Sequence, residues 1–373
     1  MDIKQNPYHE HKLLHPYHLK RAKSIIRGEV PVPSTIEIDV TDEACNQACI
    51  HCCFNSNPTR KLVSIDLELL LSFLNEAYDF GTYAFELVGG GEPTNHRQIA
   101  EIIDGISSLS KSEKEPPHIS LVTNGVRLER VFPVIEKLEW IRISMDTCDE
   151  LVYNKLHGVH AKQNHFQKVI RNLEKALTLI EPERIRLGYL VVPPLNHQPD
   201  QIDKMIDWAS TLGVKHVAFR PAFLGYKTSS EDWKAAADAI NKAKQKYRPG
   251  FVLGGVGGSW EYAIGRKNQP SGNCRTRPLV LVIKADGTIP SCILFRERLD
   301  ERPPIGHISQ GFTKIWFSEE HMKSIRRVDR SICPSICKHF RADDALVLLE
   351  NAIISGQDIP IFKSDETDNP YFI

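Results

Sequence analysis

Apolar, β-branched runs recur along the chain at TIEIDV (35–40), YAFELV (83–88), HISLV (118–122), WIRISM (140–145), IRLGYLVV (185–192) and KHVAFR (215–220). Between them lie stretches such as DLELLLSFLNEAYDF (66–80) and FQKVIRNLEKALTLI (166–180), with apolar residues three and four apart. The first pattern predicts strands and the second amphipathic helices. Strands alternating with helices imply parallel βα units, hence a barrel or a doubly wound sheet, with six units complete by residue 221.

The texture changes after that. LGGVGGSW (253–260) is rich in glycine but lacks the Lys-Ser/Thr of a phosphate loop, and reads as a connector between domains. In PLVLVIKADGTIPSCIL (278–294) two apolar runs flank Asp286–Gly287, a pair that tolerates positive φ, so a hairpin is expected. Helical stretches follow at TKIWFSEEHMKSIRRV and DDALVLLENAI. The expected organisation is an N-terminal arm over residues 1–33, a large α/β domain over 34–250 and a linker over 251–273. A small domain over 274–345 and a closing helix and tail over 346–373 complete it.

Composition narrows the function classes. Lys+Arg and Asp+Glu balance at 47 each, so no net field favours nucleic acid or an anionic membrane as partner. The N-terminal residues lack the apolar core of a signal peptide, and no apolar run is long enough to span a bilayer, so the expected location is the cytoplasm. Thiols are kept reduced there, and clustered cysteines bind metal more often than they pair. His9, His11, His15 and His18 crowd the arm without acidic or thiol partners and read as solvated or helix-surface residues rather than a metal site.

Four of the nine cysteines fall within ACNQACIHCCF (44–54). Cys45-x3-Cys49-x2-Cys52 places three thiolates in one loop directly after the first strand. Three protein ligands on a four-iron cluster leave one iron open for a small molecule. Zinc with His51 as fourth ligand competes, although adjacent ligands at 51, 52 and 53 would strain a tetrahedral site. Cys53 reads as a packed bystander.

The spacing resembles the signature of the radical S-adenosylmethionine (SAM) enzymes, with His51 where an aromatic residue commonly precedes the third cysteine. Gly89-Gly90-Gly91-Glu92-Pro93, after the second strand, is similar to that family's Gly-Gly-Glu-Pro motif. Thr123-Asn124-Gly125 ends the third strand like the family's "TNG" segment, and Ser144-Met145-Asp146 ends the fourth like its ribose-contacting one. Val191 and Val192 fall where such enzymes pack the adenine. Each motif follows an expected strand, on the carboxyl side where parallel α/β folds place ligands. The resemblance covers about residues 34 to 225 and implies a partial (β/α)6 TIM-like barrel. It also implies a [4Fe–4S] cluster on Cys45, Cys49 and Cys52. SAM contacts would come from Gly90, Gly91, Glu92, Pro93, Thr123, Asn124, Ser144, Asp146 and Val192. Reductive cleavage of SAM would give a 5′-deoxyadenosyl radical that removes a substrate hydrogen.

Cys274-x12-Gly287-x4-Cys292, then GHISQGFTKIW, then Cys333-x3-Cys337, resembles the twitch domain, the shortened relative of the SPASM domain. That likeness implies a small α+β domain with a hairpin and helix. It holds a second [4Fe–4S] cluster on Cys274, Cys292, Cys333 and Cys337, suited to electron transfer; four-cysteine zinc is the competing reading.

Period-two reading turns Arg142, Ser144 and Asp146 inward from the fourth strand, and His216, Ala218 and Arg220 from the sixth. Glu86 is polar amid an apolar run. Glu86, Arg142, His216 and Arg220 are therefore candidate substrate contacts, with a buried ion-pair network as the alternative. Cys148, after the fourth strand, is a candidate hydrogen donor because epimerases of the superfamily use a cysteine so. The expected activity is that of an oxidoreductase on a sugar, aminocyclitol or nucleoside, by dehydrogenation or epimerisation in natural-product synthesis. A ribosomal-peptide maturase is the alternative, and a non-catalytic iron–sulfur carrier the third reading. Only 44 residues precede Cys45, few for a separate peptide-recognition domain. A flavodoxin or ferredoxin is the expected reductant.

Overall fold

A computed structural model describes residues 12–42, 45–54, 62–222, 228–246, 251–254, 259–265, 273–326, 328, 330–333, 337–358 and 371–372. Among them, eight parallel strands form one sheet in the order β7-β6-β5-β4-β3-β2-β1-β8. The strands are β1 (Thr35–Asp39), β2 (Ala84–Val88), β3 (His118–Thr123), β4 (Trp140–Ser144), β5 (Ile185–Val191), β6 (His216–Pro221), β7 (Val252–Gly254) and β8 (Val280–Ile283). The first six are the strands expected from the sequence. Their order follows the chain, as a partial barrel wound from successive βα units requires.

Helices cover the outer face. They are α2 (Leu67–Asp79), α3 (Ile99–Ser107), α4 (Glu150–Leu156), α5 (His165–Ala176), α6 (Pro199–Thr211) and α7 (Ser230–Lys244), with α1 (Pro16–Ile26) preceding β1. Short polar side chains start several of them. Asp66 accepts from the Leu69 N–H at 2.8 Å, and Asp149 from the Val152 N–H at 2.9 Å, satisfying amide groups that have no partner within the helix. Alternation along β5 divides the layers: Ile185, Leu187, Tyr189 and Val191 are buried under the helices, while Arg186, Gly188 and Leu190 remain partly accessible on the inner face. Each fully buried side chain of this kind contributes about 1.5–3 kcal/mol.

Three sequence expectations change. The run at 280–283 does not form a hairpin ladder with 288–289. A tight turn does form, with Lys284 N–H donating to Thr288 O at 2.9 Å around Gly287, whose φ is 81°. Val280–Ile283, however, is buried on both faces and pairs in parallel with β1, Ile36 opposite Leu281. An uninterrupted apolar run suits a covered parallel strand better than a half-exposed hairpin. The small antiparallel sheet is instead β9 (Thr288–Ile289) against β10 (Gly306–His307).

The glycine-rich stretch is also more than a connector. Its first residues belong to β7, which pairs with β6, and Trp260 of α8 (Ser259–Ala263) is buried, donating to Phe219 O at 3.1 Å. Third, the N-terminal histidines are not solvated. His15 accepts from Tyr17 N–H at the start of α1, and buried His18 lies 3.1 Å from Ser34 Oγ; His9 and His11 lie outside the described residues. Helix α1 packs its Leu19, Ala22 and Ile25 with Leu346 and Leu349 of α11 (Lys338–Ser355), so two chain regions far apart in sequence share one apolar cluster. Helices α9 (Phe312–Trp316) and α10 (Glu319–Arg326) lie between, and Phe312 packs edge-on to Phe73 of α2.

At the opposite end from the loops, Tyr371 stacks on His118 with ring centres 3.4 Å apart, and Phe372 meets Trp140 edge-on at 5.4 Å. These rings close the amino-terminal end of the barrel face. No helix among the described residues is long and apolar enough to cross a membrane.

Candidate functional site

The three-cysteine loop leaves the carboxyl end of β1 and is held by distant backbone. Ala48 N–H donates to His157 O at 2.9 Å and Ile50 N–H to Leu156 O at 3.0 Å, pinning the loop to the end of α4. Gly158 permits this approach: its φ is 58°, and a Cβ there would stand 2.3 Å from Ala48 O. Cys45 and Cys52 are half-buried and lie within electrostatic reach of each other and of Cys49. Burial pushes the Cys45 thiol up to about 11, against hydrogen bonding from Gln47. It holds Cys49 well above the ordinary thiol value, reinforced by Asp146 and the neighbouring thiols. Such a set stays protonated until a cationic centre displaces the protons, so these residues fit an iron–sulfur cluster.

Cys49 Sγ lies 3.3 Å from His157 Nδ1. His157 Nε2 and His51 Nε2 each lie 3.4 Å from Asp146 Oδ2. Burial pushes His157 down to about 3, with His51 and His165 adding to it, and pushes Asp146 up against the pull of His51. Asp146 is the hinge of this corner. It takes the left-handed backbone at φ 45°, rare for a residue with a side chain, and its Oδ1 accepts from Leu190 N–H at 2.7 Å. Asn196 completes the tie: its Nδ2 donates to Asp146 O and to Leu190 O, both at 2.8 Å, and its Oδ1 accepts from buried Val192.

Beside the cysteine loop, the glycine motif forms a cradle. A Cβ on Gly89 would meet Gly91 O at 2.3 Å, and Gly91 N–H is bound to Thr41 O. Glu92 is buried and serves as a brace between strand ends. It accepts from Thr94 N–H and Oγ1, from Thr123 Oγ1 at 2.5 Å and from Asn124 N–H at 2.8 Å. Burial raises its carboxyl and these donors oppose the rise. Asn124 Nδ2 reaches Asn46 Oδ1 at 2.6 Å, so the third strand end contacts the cysteine loop directly. Pro93 opens a short helical turn behind Glu92.

The inner face carries the polar residues that alternation placed there. Arg142 and Ser144 are partly accessible, Glu86 and His216 are buried, and Arg220 is solvent-accessible although protein surrounds it, as in a water-filled chamber. Arg142 lies over Gly188, where a Cβ would come 3.3 Å from Arg142 Cδ. Cys148 sits elsewhere. It is half-buried against the apolar layer, within electrostatic reach of Tyr189 and of Lys204 on α6, and burial raises its thiol. Cys53 is half-buried.

The C-terminal cysteines also gather. Cys337 feels Cys292, Cys274 and Cys333, and burial raises it further than any of these. Burial pushes Cys274 up to about 11 and raises Cys292. Arg277 and Arg330 oppose those rises, and Arg302 Nη2 donates to Cys333 Sγ at 3.5 Å. Four thiols in one cationic pocket fit a fully ligated cluster.

Sequence reasoning missed His157, Gly158, Asn196 and Arg186. Arg186 was available to the same period-two reading that found Arg142. The others carry no local signal, since their partners lie tens of residues away.

Fold and site together define an α/β partial-barrel enzyme with a three-thiol loop at the carboxyl ends of its strands and a second thiol set behind it. The profile of the Radical SAM superfamily matches residues 41–209, and that of the SPASM iron–sulfur cluster-binding domain matches 274–339. The chain belongs to the radical SAM superfamily and carries a C-terminal SPASM-type domain. Its iron–sulfur and SAM chemistry follow from that membership. It is 27% identical over 221 residues to the molybdenum cofactor biosynthesis protein moc-5 of Caenorhabditis elegans, covering 56% of this chain and 34% of that one. It is 25% identical over 224 residues to a probable GTP 3',8-cyclase of Saccharolobus islandicus, covering 56% and 68%. The chain thus spans about a third of the length of the first of these relatives. In fold it is similar to Streptococcus suis SuiB bound to precursor peptide SuiA, with TM-score 0.62, 17% identity and 86% and 73% coverage. It is also similar to anSMEcpe with bound AdoMet, with TM-score 0.58, 15% identity and 87% and 97% coverage.

Proposed function

We propose that this protein is a radical SAM oxidoreductase that takes a hydrogen atom from a small polar substrate of sugar, aminocyclitol or nucleoside type in natural-product synthesis. The observation that carries the reading is the polar inner face of β4, β5 and β6, which opens toward the strand ends that support the cysteine loop. Cys45, Cys49 and Cys52 would hold a [4Fe–4S] cluster with one iron left for SAM. Cys274, Cys292, Cys333 and Cys337 would hold a second one for electron transfer. Reduced by a flavodoxin- or ferredoxin-type partner, the first cluster with SAM supplies the carbon radical. The chain's own residues do the rest. Gly90, Gly91 and Pro93 shape the cradle, and Glu92 fixes Thr123 and Asn124. Asp146 and Asn196 set the spacing between Ser144 and Val192. Arg142, Arg220, His216 and Glu86 face the substrate.

Dehydrogenation is preferred over epimerisation. The latter needs a returned hydrogen, and Cys148, the candidate donor, lies toward α6. Peptide maturation is the second reading, supported by the fold likeness to a SuiB structure holding a precursor peptide.

Anaerobic reconstitution with iron, sulfide, SAM and dithionite tests the core claim. The expected results are about eight irons per chain, from two four-iron clusters, and release of 5′-deoxyadenosine. Iron bound without 5′-deoxyadenosine would leave an electron carrier. Deuterium passing from a labelled polar small molecule, and not from peptides, into 5′-deoxyadenosine would decide between the two substrate classes.

A further inference from the structure

We propose that the barrel's inner face is an anion-binding site for a substrate bearing clustered negative oxygens, held by Arg142, Arg186 and Arg220 with Arg341 of α11. The proposal rests on the inner face being the substrate's chamber and names the chemistry it selects. Arg142, Arg186 and His216 stand side by side in register across three strands, Arg142 opposite Arg186 and Arg186 opposite His216. Arg220 sits nearer the carboxyl ends, opposite Leu190. The Arg142 and Arg186 guanidiniums both lie over the Trp140 ring, at 5.9 and 5.2 Å, which orients two planar forks on one platform. Arg341 comes from the C-terminal helix, so the cationic face spans both parts of the chain.

The charges do not balance internally. The guanidinium of Arg220 is pushed down to about 9, first by Arg142 and then by burial; Arg341 and Arg186 add to this, and Glu86 alone opposes. The other inward carboxylates have different partners. Asp39 is ion-paired with Arg296, which also feels Glu37, and Asp146 faces His51 and His157. Four guanidiniums thus face one carboxylate. A self-neutralising ion-pair network would match its charges, whereas like charges held together in a chamber call for an anionic guest. Guanidinium forks bind phosphate and carboxylate oxygens in pairs, and four converging forks favour a group with several such oxygens over a single carboxylate.

Calorimetric titration of the anaerobically reconstituted full chain at constant ionic strength tests this, using inorganic pyrophosphate and citrate as probes of the phosphate and carboxylate sources. Binding of one or both is expected, with the tighter probe naming the source. Arg186→Gln, Arg220→Gln and Arg341→Gln should each weaken it by about tenfold or more, the loss of one charge-assisted fork. Arg186→Lys should restore part of the loss, separating charge from folding. Glu86→Gln should tighten binding, because it removes the opposing charge. Binding of neither probe, affinity indifferent to the arginines, or weaker binding in Glu86→Gln would overturn the proposal. If wild-type protein binds pyrophosphate but makes no 5′-deoxyadenosine, the radical reading fails while the anion site stands.

Discussion

Gly158→Ala should detach the cysteine loop from α4, and its cost can be worked from two separable terms. Gly158 adopts φ 58°, and moving a side chain into left-handed backbone costs about 1–2 kcal/mol. The new Cβ would also lie 2.3 Å from Ala48 O and 2.9 Å from its carbonyl carbon, contacts with backbone rather than with a flexible side-chain tip. Relieving them means moving residues 48–50 and stretching the bonds Ala48 N–H to His157 O and Ile50 N–H to Leu156 O. Losing those two bonds adds about 1–3 kcal/mol. The expected total is about 2–5 kcal/mol. Gly213→Ala is the matched control, since Gly213 has φ 87° and nothing within 4 Å of a built Cβ, so it should show the backbone term alone. Urea denaturation of both variants gives the difference. Iron analysis and electron paramagnetic resonance then ask whether the first cluster is lost while the second, on residues far from α4, survives. Equal stability losses in the two variants, or full iron content in Gly158→Ala, would refute the account of how this loop is held.

Two further outcomes follow from the geometry. Glu92→Ala leaves the Thr94, Thr123 and Asn124 donors without their acceptor, and should lower stability by roughly 2–4 kcal/mol, read by denaturant unfolding; an unchanged midpoint would show that Glu92 does not brace the strand ends. Buried His321 donates from Nδ1 to Trp316 O, and burial pushes it down to about 4 in the fold against about 6.5 unfolded. Because the folded value is depressed, its neutral form stabilises fully above about pH 6.5, and that contribution falls away as pH drops toward 4. The loss should reach roughly 3 kcal/mol. His321→Gln should flatten stability over that window, and an unaltered slope would contradict it.

The six core strands were legible because each combines β-branched composition with a period-two face, and because the connections are helices of strong 3.6 periodicity. Errors came where one local pattern suits two partners. Val280–Ile283 has the composition of either a hairpin arm or a covered parallel strand, and only the apolar flank of β1 left unpaired by β2 decides for the latter. Likewise His15 and His18 look like surface residues until α11 is brought against α1 from more than 300 positions away.

The site divides along the same line. Cysteine spacing and the strand-end motifs are local, so the ligand sets and the cradle could be read from the chain alone. Arg142 and Arg220 were found by alternation, yet alternation could not tell an anion site from an ion-pair network. That choice depends on a charge sum over β2, β4, β5, β6 and α11, and it turns on Arg341, which no strand pattern reveals. Glu92 shows the converse. As a motif residue it was assigned to the cofactor, but its oxygens are taken by Thr94, Thr123 and Asn124, so its motif position secures the shape of the cradle through its neighbours. A carboxylate wholly engaged in this way can act on SAM only by holding the Thr123–Asn124 backbone in place.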